Sequence, residues 1–307
     1  MATPAGNPTT VSSISNLVQT AYDQYVRMAL RSIPVMRAIA DVKPVQQAMP
    51  GSSVVFSIYS DLSAATSTLT ETSDVSSIAL GNPSQVTVTL QEYGSAVTTT
   101  KKLSLTSFND VDSALADIIA YNAADSIDSI VASVLTGGSN VIYAGTATQR
   151  TGITSTMTIS VADIREAVTQ LRSNKALPRI GELYAAYLHP RQSADLRAES
   201  GTGGFQELTK YVERTPFVAG AVGVIEGAFV VETPRVPSVA STTTVYQGIV
   251  AGREALAEAM AQDISTVIGP EIDALRRFRT IGWYYMGGFA RLREAALYRI
   301  ESATSIN

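Results

Sequence analysis

Two stretches of the first third of the chain carry apolar residues at every second position. Val54, Phe56 and Ile58 interleave with Val55, Ser57 and Tyr59, and Val86, Val88 and Leu90 interleave with Thr87, Thr89 and Gln91. A period of two marks a half-buried strand, so both runs are expected to be β. About 26 residues separate them, from Ser60 to Gln85, rich in Ser, Thr, Ala and Asp and far longer than a hairpin connection needs. A projecting hairpin that waits for a partner fits this best, and a mobile surface loop of chance composition is the plainer alternative. The pattern then changes to steps of three and four. Leu115, Ile119, Ala123, Ile127, Ile130 and Val134 form one helical stripe. Asn109-Asp110 offer a cap, Asp112 complements the dipole in the first turn, and Gly137-Gly138 stop the helix. Roughly 26 residues at 1.5 Å each give a rod of roughly 39 Å, long enough to act as a spine. Asp117, Asp125 and Asp128 fall mostly off the stripe and read as a solvated acidic face.

Around this centre the patterning is weaker. After a flexible arm over residues 1–10, Ile14, Leu17, Val18, Ala21, Tyr22 and Tyr25 predict an amphipathic helix that ends before Pro34. Ile39, Val42 and Pro44 read as a linker to a turn at Pro50-Gly51, and Tyr93-Gly94 with residues 97–102 close the hairpin. From Ser160 the texture is mixed. A helix is expected over 161–174 with Ile164, Ala167, Val168 and Leu171 inward, then a turn over 178–181, a strand over 183–188 and a helix from Pro190 through Arg197. A Gly-rich loop follows over 199–204, then a turn and strand over 220–231, a strand over 245–250 and an Ala/Glu-rich short helix over 253–260. At the end of the chain, aromatic residues 283–289 and the alternation of 296–300 predict a β-hairpin turning near Arg293-Glu294. A helix over 290–301 is the alternative. No repeat of fixed period is visible.

With 307 residues, 45% of them hydrophobic, the chain can bury the core of one large domain or two modest ones. A net charge of −4 with only 16% charged residues argues against tight nucleic-acid binding through a basic face, so any such contact is expected to be loose. The absence of cysteine excludes disulfides, thiolate nucleophiles and Cys-based metal sites. No secretory signal is visible in residues 1–10. The most apolar window, 217–231, falls short of the roughly 20 residues of a membrane span and contains Gly220, Gly223, Glu226 and Gly227. A cytoplasmic origin without a membrane partner is the expectation.

Charge placement adds more than charge total. Between Lys43 and Lys101 there is no Lys or Arg, while Asp61, Glu71, Asp74 and Glu92 all fall in the gap. A solvated loop normally mixes both signs, so a purely acidic excursion suggests docking on a basic surface. The densest positive charge is Arg276, Arg277 and Arg279, interleaved with Phe278, together with Lys101 and Lys102. These could contact phosphates. At this net charge an ion-pair role is favoured, within the subunit or receiving a neighbour's acidic hairpin. The expected inter-subunit contacts are therefore Glu71 and Asp74 on one side and Arg276, Arg277 and Arg279 on the other.

Catalytic constellations are not found. The single histidine, His189, stands before Pro190 with no second ligand or nucleophile near it in sequence, which favours a structural imidazole. No Gly-x-Ser-x-Gly elbow surrounds any serine. Gly201-Thr202-Gly203-Gly204 lacks both the Walker A ending and the Gly-x-Gly-x-x-Gly spacing. The carboxylate pairs Glu226 and Glu232, or Asp263 and Asp273, have no support as acid and base beyond chance. No cofactor or metal is called for. An α/β hydrolase-like enzyme using His189 as base is the alternative from a different class.

Several short runs occur in a telling order: Leu69-Thr70-Glu71, then Val88-Thr89-Leu90-Gln91-Glu92-Tyr93-Gly94, then Leu188-His189-Pro190 with Asp195-Leu196. Gly223-Val224-Ile225-Glu226-Gly227 with Val231-Glu232-Thr233, and Arg277-Phe278-Arg279-Thr280-Ile281-Gly282-Trp283, complete the series. In this order the chain resembles a major capsid protein of tailed bacteriophages with the Johnson fold, the Hong Kong-phage type, and in particular the capsid family of the N-four-like phages. The resemblance implies an α+β fold with an N-terminal arm over 1–50, an extended loop over 51–100 and a peripheral domain with the spine helix over 101–159. An axial domain over 160–263 and a return to the peripheral domain over 264–307 would follow. It implies self-assembly into pentamers and hexamers of an icosahedral shell around double-stranded DNA, in a virion assembled in the bacterial host cytoplasm. Implied partners are further copies of the chain, a portal, a decoration protein and loosely held packaged DNA. Because the arm carries no large charged segment before the hairpin, a separate scaffolding protein is expected. Some members of the fold join a loop lysine to an asparagine of another subunit. This loop has no lysine, so no such bond is expected from it. A nanocompartment shell of the same fold is the nearest alternative.

Overall fold

The computed structural model describes residues 34–44, 52–69, 71, 72, 74, 75, 77–106, 111–200, 223–270 and 273–306. The expected helix from residue 14 to before Pro34, the turn at 50–51, the cap at 109–110 and the Gly-rich run 201–204 lie outside the described residues. One sheet has four strands in the order β1 (Ala40–Pro44), β11 (Leu256–Ile268), β12 (Phe278–Arg291) and β4 (Gln91–Thr100). A seven-stranded sheet runs β5 (Val141–Tyr143), β13 (Leu297–Ser302), β10 (Thr244–Ala251), β6 (Tyr184–Leu188), β8 (Ala228–Glu232) and β7 (Val224–Ile225), with β9 (Ser238–Ala240) paired to β10. Strands β2 (Ser53–Ile58) and β3 (Ser84–Thr89) form a separate antiparallel hairpin, with Val54 opposite Val88 and Phe56 opposite Val86. The helices are α1 (Lys101–Thr106), α2 (Val111–Thr136), α3 (Val161–Ser173) and α4 (Pro190–Ala198).

Helix α2 is the predicted rod, 26 residues long. Its fully buried positions follow the i, i+4 ridge Ile119, Ala123, Ile127, Val131 and Leu135, while Ile130 and Val134 of the predicted stripe are half-buried. Ile119, Ala123 and Ile127 pack on Ile281, Trp283 and Tyr285 of the four-stranded sheet. Val131, Ala132 and Leu135 instead join Met36, Ile39, Tyr187, Ile249 and Leu256 in a second cluster that touches both sheets. Each fully buried aliphatic side chain contributes roughly 1.5–3 kcal/mol, so one helix ties the two sheets together. Its last carbonyls are satisfied by cations: Arg291 Nη1 donates to Val134 O at 2.9 Å, and Arg299 Nη1 donates to Thr136 O and Gly138 O. By length and composition the segment Leu115–Thr136 could cross a bilayer, but its buried face makes it the core helix of this fold.

Helix α3 starts at a capping box, Ser160 accepting from Asp163 N while the Asp163 carboxylate accepts from Ser160 N, and buries Ile164, Ala167, Val168 and Leu171 as expected. The hairpin root rests on the four-stranded sheet, where Val88 packs with Ala257 and Ala259. Close approach there requires glycine: a Cβ on Gly288 would stand 2.2 Å from Thr89 O. Beyond the hairpin, the described residues of the 59–82 excursion are exposed and form neither helix nor strand.

Four expectations are corrected. Residues 256–260 are strand, not helix, because β1 pairs parallel to them on one side and β12 antiparallel on the other; Ala and Glu propensity is a weak preference against two ladders of hydrogen bonds. Residues 40–44 are therefore an edge strand, not a linker. Residues 91–100 are one strand of the four-stranded sheet and not part of the hairpin, which ends at Thr89. The terminal strands reverse through a short 3-10 turn, Glu294–Ala296, close to the expected place, but β12 and β13 do not pair; each enters a different sheet. The sequence boundary at 263–264 accordingly falls inside β11, and β13 lies in the seven-stranded sheet.

Candidate assembly surfaces

The positive charge gathers where β4 ends and β12 begins. Phe278 lies opposite Thr100 and Arg279 opposite Thr99, and Lys101 N donates to Arg277 O at 2.8 Å. This register sets Lys101 and Lys102, distant in sequence, beside Arg276, Arg277 and Arg279, all five exposed. A tight turn precedes them, with Asp273 and Arg276 both at positive φ, 96° and 52°. Arg277 already has an in-chain carboxylate, Asp273 at 2.5 Å, and its guanidinium lies 5.5 Å from the Phe278 ring centroid. Leu103, Leu105 and Leu275 stand exposed around the same end.

The opposite charge lies on the loop. Glu71 and Asp74 are exposed and, among the described residues, make no ion pair; Asp74 Oδ1 accepts from Val75 N at 2.8 Å, a local turn contact. The structure thus brings together the predicted basic set but does not bring the predicted acidic residues to it within one subunit. The loop also exposes Leu62, Leu69, Val75, Ile78 and Leu80, each between 57% and 77% accessible. Large apolar side chains bared in series are a mark of an interaction surface. Sequence reasoning passed over them, although Ser77-Ile78-Ala79-Leu80 alternates as a short strand would.

Other acidic residues are inside the subunit. Asp128, expected on a solvated face, is 1% exposed and accepts from Met36 N at 2.7 Å, Arg37 N at 3.2 Å and Arg235 Nε at 2.9 Å. Glu258, fully buried, accepts from Arg37 Nη2 at 2.6 Å and from the Tyr285 hydroxyl at 2.9 Å. Burial alone would lower the Arg37 guanidinium, but the hydrogen bond and charge of Glu258 outweigh it and raise it. Burial, followed by Glu258, pushes the Tyr285 hydroxyl up. Asp41 accepts from Arg179 Nη1 at 2.5 Å and from Glu254 N at 2.9 Å. Through these contacts residues 34–44 are pinned to α2, to β11 and to the turn before β6. No spacing in the sequence announces the network, because its members lie far apart in the chain.

His189 caps α4: its Nδ1 accepts from Arg191 N at 3.2 Å, and its ring sits 4.4 Å from that of Tyr246. Burial, followed by the Arg191 charge, holds its pKa below the ordinary imidazole value. The carboxylates paired in the sequence as acid and base candidates are engaged separately, Glu226 with Arg165, Glu232 with the Ser193 hydroxyl, Asp263 with Arg37 and Asp273 with Arg277.

No curated protein matches the chain. Solved structures similar to it include the capsid of cyanophage P-SCSP1u, with 18% identity over 95% of this chain and 94% of that one at a TM-score of 0.74. The acid-stable capsid of Helicobacter pylori bacteriophage KHP30 is similar at 16% identity, 97% and 99% coverage and a TM-score of 0.74. The capsid of Ralstonia phage GP4 follows at 15% identity, 97% and 98% coverage and a TM-score of 0.73. At such identities the likeness is one of fold, and it is the α+β capsid fold that the order of parts in the sequence resembles. The model of the phage capsid protein family matches residues 9–306, nearly the whole chain. The chain belongs to the phage capsid protein family.

Proposed function

We propose that the chain is the major capsid protein of an icosahedral phage shell, in which the acidic loop of one subunit docks on the basic sheet end of the next. The observation that carries the docking is the separation of charge. Glu71 and Asp74 project on an exposed loop, while Arg276, Arg277 and Arg279 gather with Lys101 and Lys102 at one end of the four-stranded sheet. Opposite charges presented at separate places on one subunit meet between subunits, beside the contact that Arg277 already makes with Asp273. Each exposed pair contributes only about 0.2–1 kcal/mol, but the contact repeats at every subunit and orients each arriving copy.

In this reading residues 1–50 are the arm, 51–100 the extended loop, 101–159 and 264–307 the peripheral domain, and 160–263 the axial domain. Strands β11 and β12 belong to the four-stranded sheet and β13 to the seven-stranded one. The shell is built of pentamers and hexamers around double-stranded DNA that it touches loosely. It assembles in the host cytoplasm with a separate scaffolding protein, a portal and a decoration protein. The subunit is structural and not an enzyme: His189 serves as a helix cap.

The double substitution Glu71→Lys with Asp74→Lys tests the docking. Both side chains are exposed, so unfolding of the free subunit is expected to be unchanged while the yield of closed particles falls. Normal particle yield from the double variant would refute it.

A further inference from the structure

Strand β4 is the edge of the four-stranded sheet, and among the described residues nothing pairs with its outer side. Its ten residues keep an unbroken register with β12, from Gln91 opposite Gly287 to Thr100 opposite Phe278. Exposed edges are normally blunted by lysine, proline, a bulge or brevity. The other edge of this sheet, β1, has these: it is five residues long and carries Asp41, Lys43 and Pro44. β4 has none, and Glu92 is its single charge. A long, flat and unprotected edge is a template for another strand.

The face beside that edge has a shape. Ile281, Trp283 and Tyr285 of β12 point into the core under α2, so Thr280, Gly282 and Tyr284 point the other way, with their direct partners Thr98, Ala96 and Gly94 on β4. Gly94, Ala96, Val267, Gly269, Gly282 and Tyr284 line an open groove of 360 Å³ on this face. Its floor cannot be built of larger residues: a Cβ on Gly94 would stand 2.7 Å from Trp283 O, and one on Gly282 2.8 Å from the Ala96 Cβ. At the Thr100 end of the same strand lie the five basic residues.

We infer that the loop of a second copy of this chain adds to β4 as a fifth, antiparallel strand, with Asp74 opposite Thr100, Ile78 opposite Ala96 and Leu80 opposite Gly94. This rests on the docking proposed above and gives it a register. In the loop Leu62 and Leu69 precede Glu71, but the two apolar residues spaced to share one strand face, Ile78 and Leu80, follow Asp74, whereas β4 runs from the groove toward the basic end. Only the antiparallel direction puts Asp74 at the basic end and both of these side chains in the groove together. With Asp74 set beside Thr100 and Lys101, strand counting brings Ile78 and Leu80, 70% and 60% exposed in the free subunit, onto the two smallest residues of β4 and onto its groove face. Slipping by one residue would turn both to the opposite face. A strand of the same chain supplies every element of the match, so a second subunit is the occupant.

The chain has no cysteine, so introduced pairs are its only thiols. Directly opposed Cβ atoms lie about 4.5–5.5 Å apart, close enough for oxidation to trap them. Oxidised particles of Ile78→Cys/Ala96→Cys, and of Ser77→Cys/Val97→Cys on the other face of the same register, are expected to run as a ladder of oligomers on non-reducing denaturing electrophoresis. The ladder should collapse with reductant, and the slipped pair Ala79→Cys/Ala96→Cys should stay monomeric. Particles from both matched pairs that show no ladder overturn the strand addition, as does an equal ladder from the slipped pair. The charge-reversed Glu71/Asp74 variant separates the two claims. Lost particle yield with no ladder overturns the strand alone and leaves the docking standing; normal yield overturns the docking and the strand with it.

Discussion

Replacing Arg37 by methionine keeps the aliphatic stem packed but takes away the charge that neutralises a fully buried carboxylate. Glu258 is 0% exposed and holds two contacts, the Arg37 guanidinium at 2.6 Å and the Tyr285 hydroxyl at 2.9 Å. In R37M the hydroxyl alone remains. Removing one partner of a buried pair costs about 3–5 kcal/mol, because the other is left desolvated and unpaired. Arg37 is itself 30% exposed, so water reaches its side of the pair and the lower figure, about 3 kcal/mol, applies. Chains somewhat smaller than this one lose about 2–4 °C of Tm per kcal/mol, so a drop of roughly 6 °C is expected by circular dichroism on dilute, unassembled subunits at neutral pH. Met36 and Ile39 stay buried on either side, so the segment remains docked and the loss reflects the carboxylate. The triple variant R37M/E258M/Y285F replaces the pair and the hydroxyl that donates to it by apolar groups of similar size and is expected to recover most of the loss, since such exchanges are near neutral. A fall of under about 1 kcal/mol in R37M, or a triple variant no more stable than the single, refutes the reasoning.

Glu301 is fully buried, and burial by itself would raise its pKa. Hydrogen bonds from Arg150 and Gln247 and the Arg299 charge overcome this and hold the carboxyl below the ordinary value. Its stabilisation is therefore complete above the unfolded value and lost as pH falls through the lower folded one. E301Q is expected to be less stable than the parent at pH 7, with the gap in thermal unfolding closing below about pH 4.3. Gly288→Ala sets a Cβ against the Thr89 carbonyl, a backbone overlap that no side-chain rotation relieves. Hydrogen exchange is expected to rise in β2 and β3 while α3 and β6 stay protected; unchanged exchange in the hairpin contradicts its placement on the sheet. With no lysine in residues 51–100, mature particles are expected to give no covalent ladder mapping to that loop on denaturing electrophoresis, and such a ladder refutes this.

The parts of the fold that local pattern controls were legible. The 3.6-residue stripe of α2, the alternation of β2 and β3 and the inward stripe of α3 each act within a few residues, so spacing reveals them. What failed depends on partners distant in the chain. Residues 256–260 read as helix from Ala and Glu, yet β1 and β12 on either side impose strand. Asp128 sits off the α2 stripe and looked solvated, but Met36 and Arg37 of one distant segment and Arg235 of another cover it. β12 and β13 were each recognisable, and their failure to pair was not, because the choice of sheet is made by β11 and β10. Of the candidate contacts, the clustering of Arg276 to Arg279 was visible in sequence. Lys101 and Lys102 were grouped with it on charge alone, and the register of β4 on β12 is what sets them side by side. The groove beside β4 could not be foreseen, since glycines on neighbouring strands carry no signal until they are aligned.

Electron microscopy of the purified protein, alone and co-expressed with the head-assembly proteins of its phage, tests the central claim most directly. Closed icosahedral particles made of this chain are the predicted result. A species that stays strictly monomeric under every assembly condition would contradict it.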